Sequence, residues 1–298
     1  MIAVRLNGGL GNQLFQYAAG YALALKNQEP LMLDITGFLS HDPNLKQSYR
    51  SLDILDFQIQ FSESISGSQL MGIKYPWGIF SRVSNFIQKR ILKRYYVDWH
   101  PDVLTKNGQV YLDGYYQSEL YFSSIRDKIS RQFQLKKTFL NEVKNIVEMI
   151  QASNNSISMH IRRGDYITNP RANKIHNICT KNYFYSSLDY VTSRLDDFKI
   201  FVFSDDIDWV KAEMTLPEST VYVSDLLQIS GERLRSSQEI YLMSLCQHNI
   251  ISNSSFSWWG AYLNEFNGKI VIAPSVWSKS KVISHKNILP ADWIQISA

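Results

Sequence analysis

Residues Ser158 to Tyr166 read SMHIRRGDY, and the register of that stretch decides the class of the molecule. Ile157, Met159 and Ile161 alternate with Ser158, His160 and Arg162, the period of a β-strand, and Gly164 then permits a sharp turn off its end. In α/β sheets, ligands bind where strands end. Two adjacent guanidiniums repel each other and are costly to desolvate, so a pair held at a strand terminus points to a polyanion such as a phosphate or pyrophosphate. Two readings compete. One is a surface pair in ordinary ion pairs, with Asp165 as a partner. The other is Arg163-Gly164-Asp165 as an adhesion tripeptide, which a fixed strand end serves poorly.

Upstream, the polar segment from Gln151 to Ser156 separates two halves, and a chain of 298 residues suits two domains of roughly 150 residues each. The expected units are 1–152 and 153–298, with the tail around His285, Trp277 and Trp293 packing back on the first. In the first half, Ile2 to Leu6 is a strand. Asn7-Gly8-Gly9-Leu10-Gly11-Asn12 is a turn into a helix carrying Leu14, Phe15, Ala18, Ala22 and Leu25, and Leu31 to Ile35 is a strand again. A glycine turn at a helix start can present backbone N–H groups to an anion. This one has neither the G-x-G-x-x-G spacing nor the lysine of a P-loop, so a tight turn with no ligand competes equally.

Residues 36–70 show no regular pattern. From Lys74 to Arg94 there is no acid, and Arg82, Lys89, Arg90, Lys93 and Arg94 interleave with Val83, Phe86, Ile87, Ile91 and Leu92. The stretch 82–94 suits either peripheral contact with an anionic membrane or a core-packed helix with a solvated basic face. Gln109 to Tyr115 reads as a strand, followed by helical sequence to about Phe133.

Beyond the arginines, strand and helix patterns alternate in βαβ fashion. Helices are expected over 181–195, from Ile207, and over Ser236 to Cys246. Strands are expected over Lys199 to Phe203, Thr220 to Val223, Asn249 to Ser252 and Lys269 to Pro274. The strand after 199 ends in Ser204-Asp205-Asp206. Asp206-Ile207-Asp208 has the D-x-D form that metal-dependent nucleotide-sugar enzymes use. With an arginine pair at hand for the same charge, Asp205 reads instead as a hydrogen-bond acceptor at a strand end and Asp208 as a first-turn helix charge. Ser252-Asn253-Ser254-Ser255-Phe256-Ser257-Trp258-Trp259-Gly260 puts hydroxyls and amides at another strand end and helix start, several donors for a phosphate. The two tryptophans point to different sides of that helix, leaving both for the core or one for a cleft.

The net charge of +4 is too small and dispersed to argue for nucleic acid. Cys179 and Cys246 fit neither a disulfide framework nor a zinc spacing, so a reducing compartment is the default. No stretch reaches the roughly 18 to 20 apolar residues of a membrane span, and MIAVRLNGG enters a strand at once. The expected location is the cytoplasm, with the inner membrane face open to the basic stretch.

Taken together, GGLGNQLFQYA (8–18), HIRRGDY (160–166), FSDD (203–206) and SNSSFSWWGAYL (252–263) resemble the α-1,2-fucosyltransferases of glycosyltransferase family 11. The resemblance implies two Rossmann-like α/β domains facing a cleft, the B-type glycosyltransferase fold. It implies inverting transfer of L-fucose from GDP-β-L-fucose to O2 of a terminal galactose, on an oligosaccharide or lipid-linked glycan, with no metal and no other cofactor. Carried over by position, Arg162 and Arg163 face the diphosphate and fucose, His160 and Asp205 contact guanine or ribose, and Asn253, Ser254, Ser255 and Phe256 line the phosphate and nucleoside pocket. Asn12 reaches the donor from the first domain. No residue is assigned to the acceptor. Asp165 is the nearest candidate for a base, against the alternative that it orients the arginines, with His176, Asp34 and Glu239 as weaker options. Rivals are transfer of another GDP-linked sugar, a non-catalytic sugar-nucleotide or glycan-binding protein, and a Rossmann dehydrogenase, which lacks a complete dinucleotide fingerprint here.

Overall fold

A computed structural model describes residues 1–39, 51–65, 83, 96–164, 170, 173, 175, 178–226, 234–280 and 285–298. Apart from Val83, the basic stretch 82–94 lies outside them, as do Asp165 and His176. By its internal contacts the chain divides into two units, one comprising 1–133 and 283–288 and the other 134–282 and 289–298.

The first unit carries a parallel sheet of β1 (Ile2–Arg5), β2 (Leu31–Asp34), β3 (Glu63–Ile65) and β4 (Val110–Leu112), in the order β3-β2-β1-β4. β3 falls in sequence read as irregular. Helix α1 (Leu10–Asn27) starts at Gly9 without a side-chain cap and has no acid in its first turn. It lies close on the sheet at Gly20, where a Cβ would stand 3.1 Å from the Val4 side chain and 3.2 Å from that of Leu31. The stretch expected to be helical to Phe133 opens instead with two 3₁₀ turns, Glu119–Tyr121 and Ser123–Ile125, before a helix at Arg126–Gln132.

The second unit carries six parallel strands, β5 (Ser156–Ile161), β6 (Lys199–Ser204), β7 (Thr220–Tyr222), β8 (His248–Ile250), β9 (Val271–Pro274) and β10 (Ile294–Ile296), in the order β10-β9-β8-β5-β6-β7. Counted from β5, that is 3-2-1-4-5-6 read from the β7 edge, the doubly wound dinucleotide-fold order, with its direction of winding reversing between β5 and β8. The helices used below are α2 (Lys144–Gln151), α3 (Lys181–Thr192), α4 (Ile207–Glu213), α5 (Ser236–Leu245) and α6 (Ser255–Tyr262).

Three details differ from the sequence reading. β5 has no solvent face: all six residues are buried, as expected of a central strand in a parallel sheet whose two faces are covered. Its polar alternation instead feeds a buried network, in which Asn249 Nδ2 donates to Ser158 Oγ (2.7 Å) and Ser156 Oγ accepts from the Gln247 amide (3.1 Å). The second unit begins at Gln134, ahead of the polar segment at 151–156. Residues 134–151 pack there, with Ile146 and Ile150 buried and Gln238 Nε2 donating to the Phe139 carbonyl (3.0 Å) and Glu142 Oε2 (2.7 Å). The tail is split. Residues 283–288 belong to the first unit, where Lys286 and Asn287 amides donate to the Asp98 carboxylate, while Leu289–Ala298 return to the second as β10.

Among the described residues no helix is long and apolar enough to cross a membrane.

Candidate functional site

The reversal between β5 and β8 leaves a crevice outside the carboxyl ends of the strands, the usual ligand position in such sheets. The residues singled out from three separate sequence motifs meet there. Arg162, Arg163 and Gly164 leave β5, Asp205 and Asp206 leave β6, and Ser252 to Ser255 link β8 to α6.

Serines join the strand ends. Ser252 Oγ donates to the His160 carbonyl (2.7 Å) and accepts from the Arg162 amide (3.1 Å), tying β8 to β5. Ser204 Oγ donates to the Ile161 carbonyl (2.9 Å) and accepts from the Asp206 amide (3.1 Å), tying β6 to β5. Each hydroxyl uses donor and acceptor capacity at once, so the three strand ends are fixed relative to one another.

On this base the arginines are held apart by separate carboxylates. Asp205 Oδ2 pairs with Arg162 Nη1 at 3.0 Å, and Asp205 Oδ1 accepts from the Arg163 backbone N–H at 2.8 Å. Gly164 makes room for that carboxylate: a Cβ there would stand 2.3 Å from Asp205 Oδ2. Asp206 Oδ2 pairs with Arg163 Nε at 3.1 Å, while its Oδ1 caps α4 by accepting from the Trp209 amide at 3.3 Å. Asp205 is thus the strand-end acceptor that the sequence reading expects, and Asp208 sits in the first turn of α4. Both oxygens of Asp206 are engaged, and among the described residues no three His, Cys, Asp or Glu side chains group to hold a metal ion.

His160 is buried beneath the arginines, its ring centroid 5.4 Å from that of Phe256. Burial, and secondarily the Arg162 charge, push its pKa down to about 3, so the imidazole is neutral. Among the described residues its Nδ1 has no hydrogen-bond partner although it is buried. An unpaired buried nitrogen at a switch point is costly unless a ligand completes it.

α6 begins at Ser254, whose Oγ accepts from the Phe256 amide at 3.3 Å, and no acid lies in its first turn. Its positive end therefore faces the same crevice as the arginines. Trp258 and Trp259 are both fully buried, Trp258 stacked on Tyr262 and Trp259 edge-on to both rings, so neither reaches a cleft. Asn253 is also spoken for: Nδ2 donates to the Trp277 carbonyl (3.1 Å) and Oδ1 accepts from Cys179 Sγ (3.5 Å).

Asn12 lies in the first unit, where its Oδ1 accepts from Gln117 Nε2 at 2.8 Å. The glycine turn is braced by glutamines that the sequence reading passed over. Gln13 Nε2 donates to the Gly8 and Ser51 carbonyls, and Gln16 accepts from the Asn7 amide and donates to the Gly114 carbonyl. Trp209 carries no motif in the sequence, and Ser204 and Ser252, read there as part of strand-end motifs, join strands instead. Trp209 follows the capping Asp206 by one helical turn, a spacing readable in sequence; the serines matter only through the strand order.

A sequence profile of "Glycosyl transferase family 11" matches residues 1–297. The chain is 34% identical over 301 residues to "Alpha-1,2-colitosyltransferase" of Escherichia coli, with 99% of each chain covered. It is 35% identical over 300 residues to "O-antigen biosynthesis glycosyltransferase WbnK" of the same organism, covering 93% of this chain and 96% of that one. To the mouse "Galactoside 2-alpha-L-fucosyltransferase Sec1" it is 23% identical over 271 residues, 88% of this chain and 64% of the other. In fold it resembles the crystal structure of "fucosyltransferase NodZ from Bradyrhizobium", with a TM-score of 0.51, 16% identity, and 87% and 91% of the two chains covered. A NodZ α-1,6-fucosyltransferase crystal soaked with GDP-fucose gives a TM-score of 0.53 at 14% identity, covering 88% and 91%.

Proposed function

Because the chain belongs to glycosyl transferase family 11, we propose that it transfers L-fucose from GDP-β-L-fucose, with inversion and without a metal, to O2 of a terminal galactose on a glycan acceptor. The observation that carries this reading is the meeting of Arg162, Arg163, neutral His160 and the start of α6 at the strand-order reversal of the second unit. That arrangement suits a nucleoside diphosphate: cations and a helix terminus for the phosphates, an unpaired buried imidazole nitrogen and an aromatic ring for the nucleoside side.

The proposed step is a single displacement. The galactose O2 forms a bond to C1 of the sugar as the bond from C1 to the β-phosphate oxygen breaks, and GDP leaves with the electron pair. Charge grows on the β-phosphate while the sugar becomes oxocarbenium-like, so preorganised guanidiniums stabilise the transition state more than the ground state. The O2 proton passes to a base, for which Asp165 is the sequence candidate.

A second reading is favoured by the colitosyltransferase similarity. Colitose is fucose without the 3-hydroxyl, so a pocket that does not hydrogen-bond O3 would accept either sugar or prefer the colitose donor.

Both are tested by GDP release from GDP-fucose, GDP-colitose and GDP-mannose in EDTA, over a panel of β-galactosides. The expected result is acceptor-dependent release from GDP-fucose, giving a product cleaved by an α-1,2-specific fucosidase. Release from GDP-colitose alone would select the second reading. Activity lost in EDTA and restored by Mn²⁺ would overturn metal independence, and GDP binding without product in any arm would favour a binding protein. In the same assay Asp165→Asn should lose most turnover with near-normal GDP affinity; lost GDP affinity would make Asp165 an orienting residue.

A further inference from the structure

The two arginines are not held alike. Arg162 is paired through a terminal nitrogen, Nη1, whereas Arg163 is paired through Nε, the inner nitrogen of its guanidinium. The Arg163 guanidinium also lies over an aromatic ring, its Cζ 3.5 Å from the centroid of the Trp209 indole. These two contacts fix different degrees of freedom. Stacking sets the plane of the guanidinium, and the bond from Nε to Asp206 sets its rotation within that plane. The edge bearing both Nη groups is left without a partner among the described residues. That edge is the two-pronged fork that matches two oxygens of one phosphate.

Asp206 couples this clamp to the helix. One of its oxygens pins Arg163 and the other caps α4 at the amide of Trp209, the residue whose ring supplies the stacking surface. The indole is backed in turn: Trp209 packs against the core of the second unit, and Lys181 Nζ lies 5.7 Å from the same ring centroid while pairing with Glu213 Oε2 at 2.7 Å. Arg163 thus rests on a platform built from the start of α4.

We propose that Trp209 and Asp206 are positioning residues that hold the Arg163 guanidinium with its free edge toward a phosphate of the donor. The inference rests on the nucleoside-diphosphate reading of the site and adds the residues that preorganise one of its two cations. A fork already fixed loses little side-chain freedom when the phosphate arrives, which is what preorganisation contributes to binding and to transition-state stabilisation.

A residue that acts through another should lose its effect when that other is replaced, so the test is a double-mutant cycle. GDP affinity is measured by calorimetry for wild type, Trp209→Leu, Arg163→Lys and the double variant, with melting temperatures alongside. Trp209→Leu alone is expected to weaken GDP binding roughly 3- to 30-fold, the range for a partly desolvated cation–π contact. In the Arg163→Lys background, where no planar fork remains to be stacked, the same change should cost less than about twofold. Trp209→Phe, which keeps an aromatic face, should restore most of the loss. If Trp209→Leu does not fold, Asp206→Asn serves in the same cycle, since asparagine still caps α4 but no longer carries the charge that pins Nε.

Equal losses in both backgrounds would show that Trp209 acts on the fold and not on Arg163, and would overturn the proposal while leaving the donor reading intact. Wild-type protein that binds no GDP would sink the donor reading, and this inference with it.

Discussion

His160 shows at the scale of one residue how the site constrains the molecule. Its imidazole is buried and neutral, with a pKa of about 3 against an ordinary value of 6.5, through desolvation first and the Arg162 charge second. Between those two values the unfolded chain holds a proton that the folded chain does not. Stability is therefore unaffected by His160 above pH 6.5 and falls as the pH drops toward 3, by roughly 1.4 kcal/mol per unit. Urea unfolding at pH 7 and pH 4.5 should show wild type losing about 2 to 3 kcal/mol more than His160→Gln. Equal losses would mean that the histidine is solvated and charged in the fold. The position of this residue on the strand that leads into the arginines was legible in the sequence, because the strand period ran directly into them. Its protonation state was not, because it depends on β6 and β8 lying on either side, and pairing order leaves no trace in a local pattern. Asp205 and Asp206 divide along the same line. Their place at a strand end could be read, but which guanidinium each one holds is decided by side-chain geometry across β5 and β6.

Among the elements, α6 carries the serines of the site and is set in place by α5. The contact is close at Gly260, where a Cβ would stand 2.7 Å from Met243 Cβ, an atom next to the backbone that no rotamer change can move away. Gly260→Ala should therefore push the helices apart and destabilise the second unit by about 1 to 3 kcal/mol, the usual cost of overpacking, readable as a lower urea midpoint at unchanged slope. Unchanged stability would show that the two helices can separate freely. Because Ser254 and Ser255 ride on the same helix, GDP affinity should fall together with stability. From Lys181 onward, α3 to α6 and the central strands of this unit were read from sequence to within a few residues, since their apolar periods are long or their runs fully buried, whereas the helices at Lys137–Glu142 and Lys144–Gln151 were not read. The missed strands are β3 and β10, three-residue strands at sheet edges. So short a run shows no period, and it becomes a strand only because a neighbour offers it a ladder of hydrogen bonds.

Across the whole molecule, the chain does not fill its two units one after the other. Residues 283–288 serve the first unit and 289–298 the second. Asp98, buried in the first unit, accepts from the amides of Lys286 (3.0 Å) and Asn287 (3.2 Å). In the second unit, Ile294 and Ile296 pack on the core, β10 covers the edge of β9, and Trp293 lies 5.5 Å from Trp258. Stability of the two units is thus assigned to different parts of one tail, and two truncations separate them. A chain ending at residue 288 should keep the Asp98 bonds and lose β10, so that hydrogen exchange quickens in β8, β9 and α6 while β1 and α1 stay protected. Ending the chain at residue 282 should in addition leave the Asp98 carboxylate without two backbone donors. Bonds to a charged group are worth roughly 1.5 to 3 kcal/mol each, so exchange should then quicken around residues 98–103 as well. Uniform loosening of both units by the shorter deletion would show instead that they unfold as one cooperative body, and would remove the basis for treating residue 289 as the point where the tail changes allegiance.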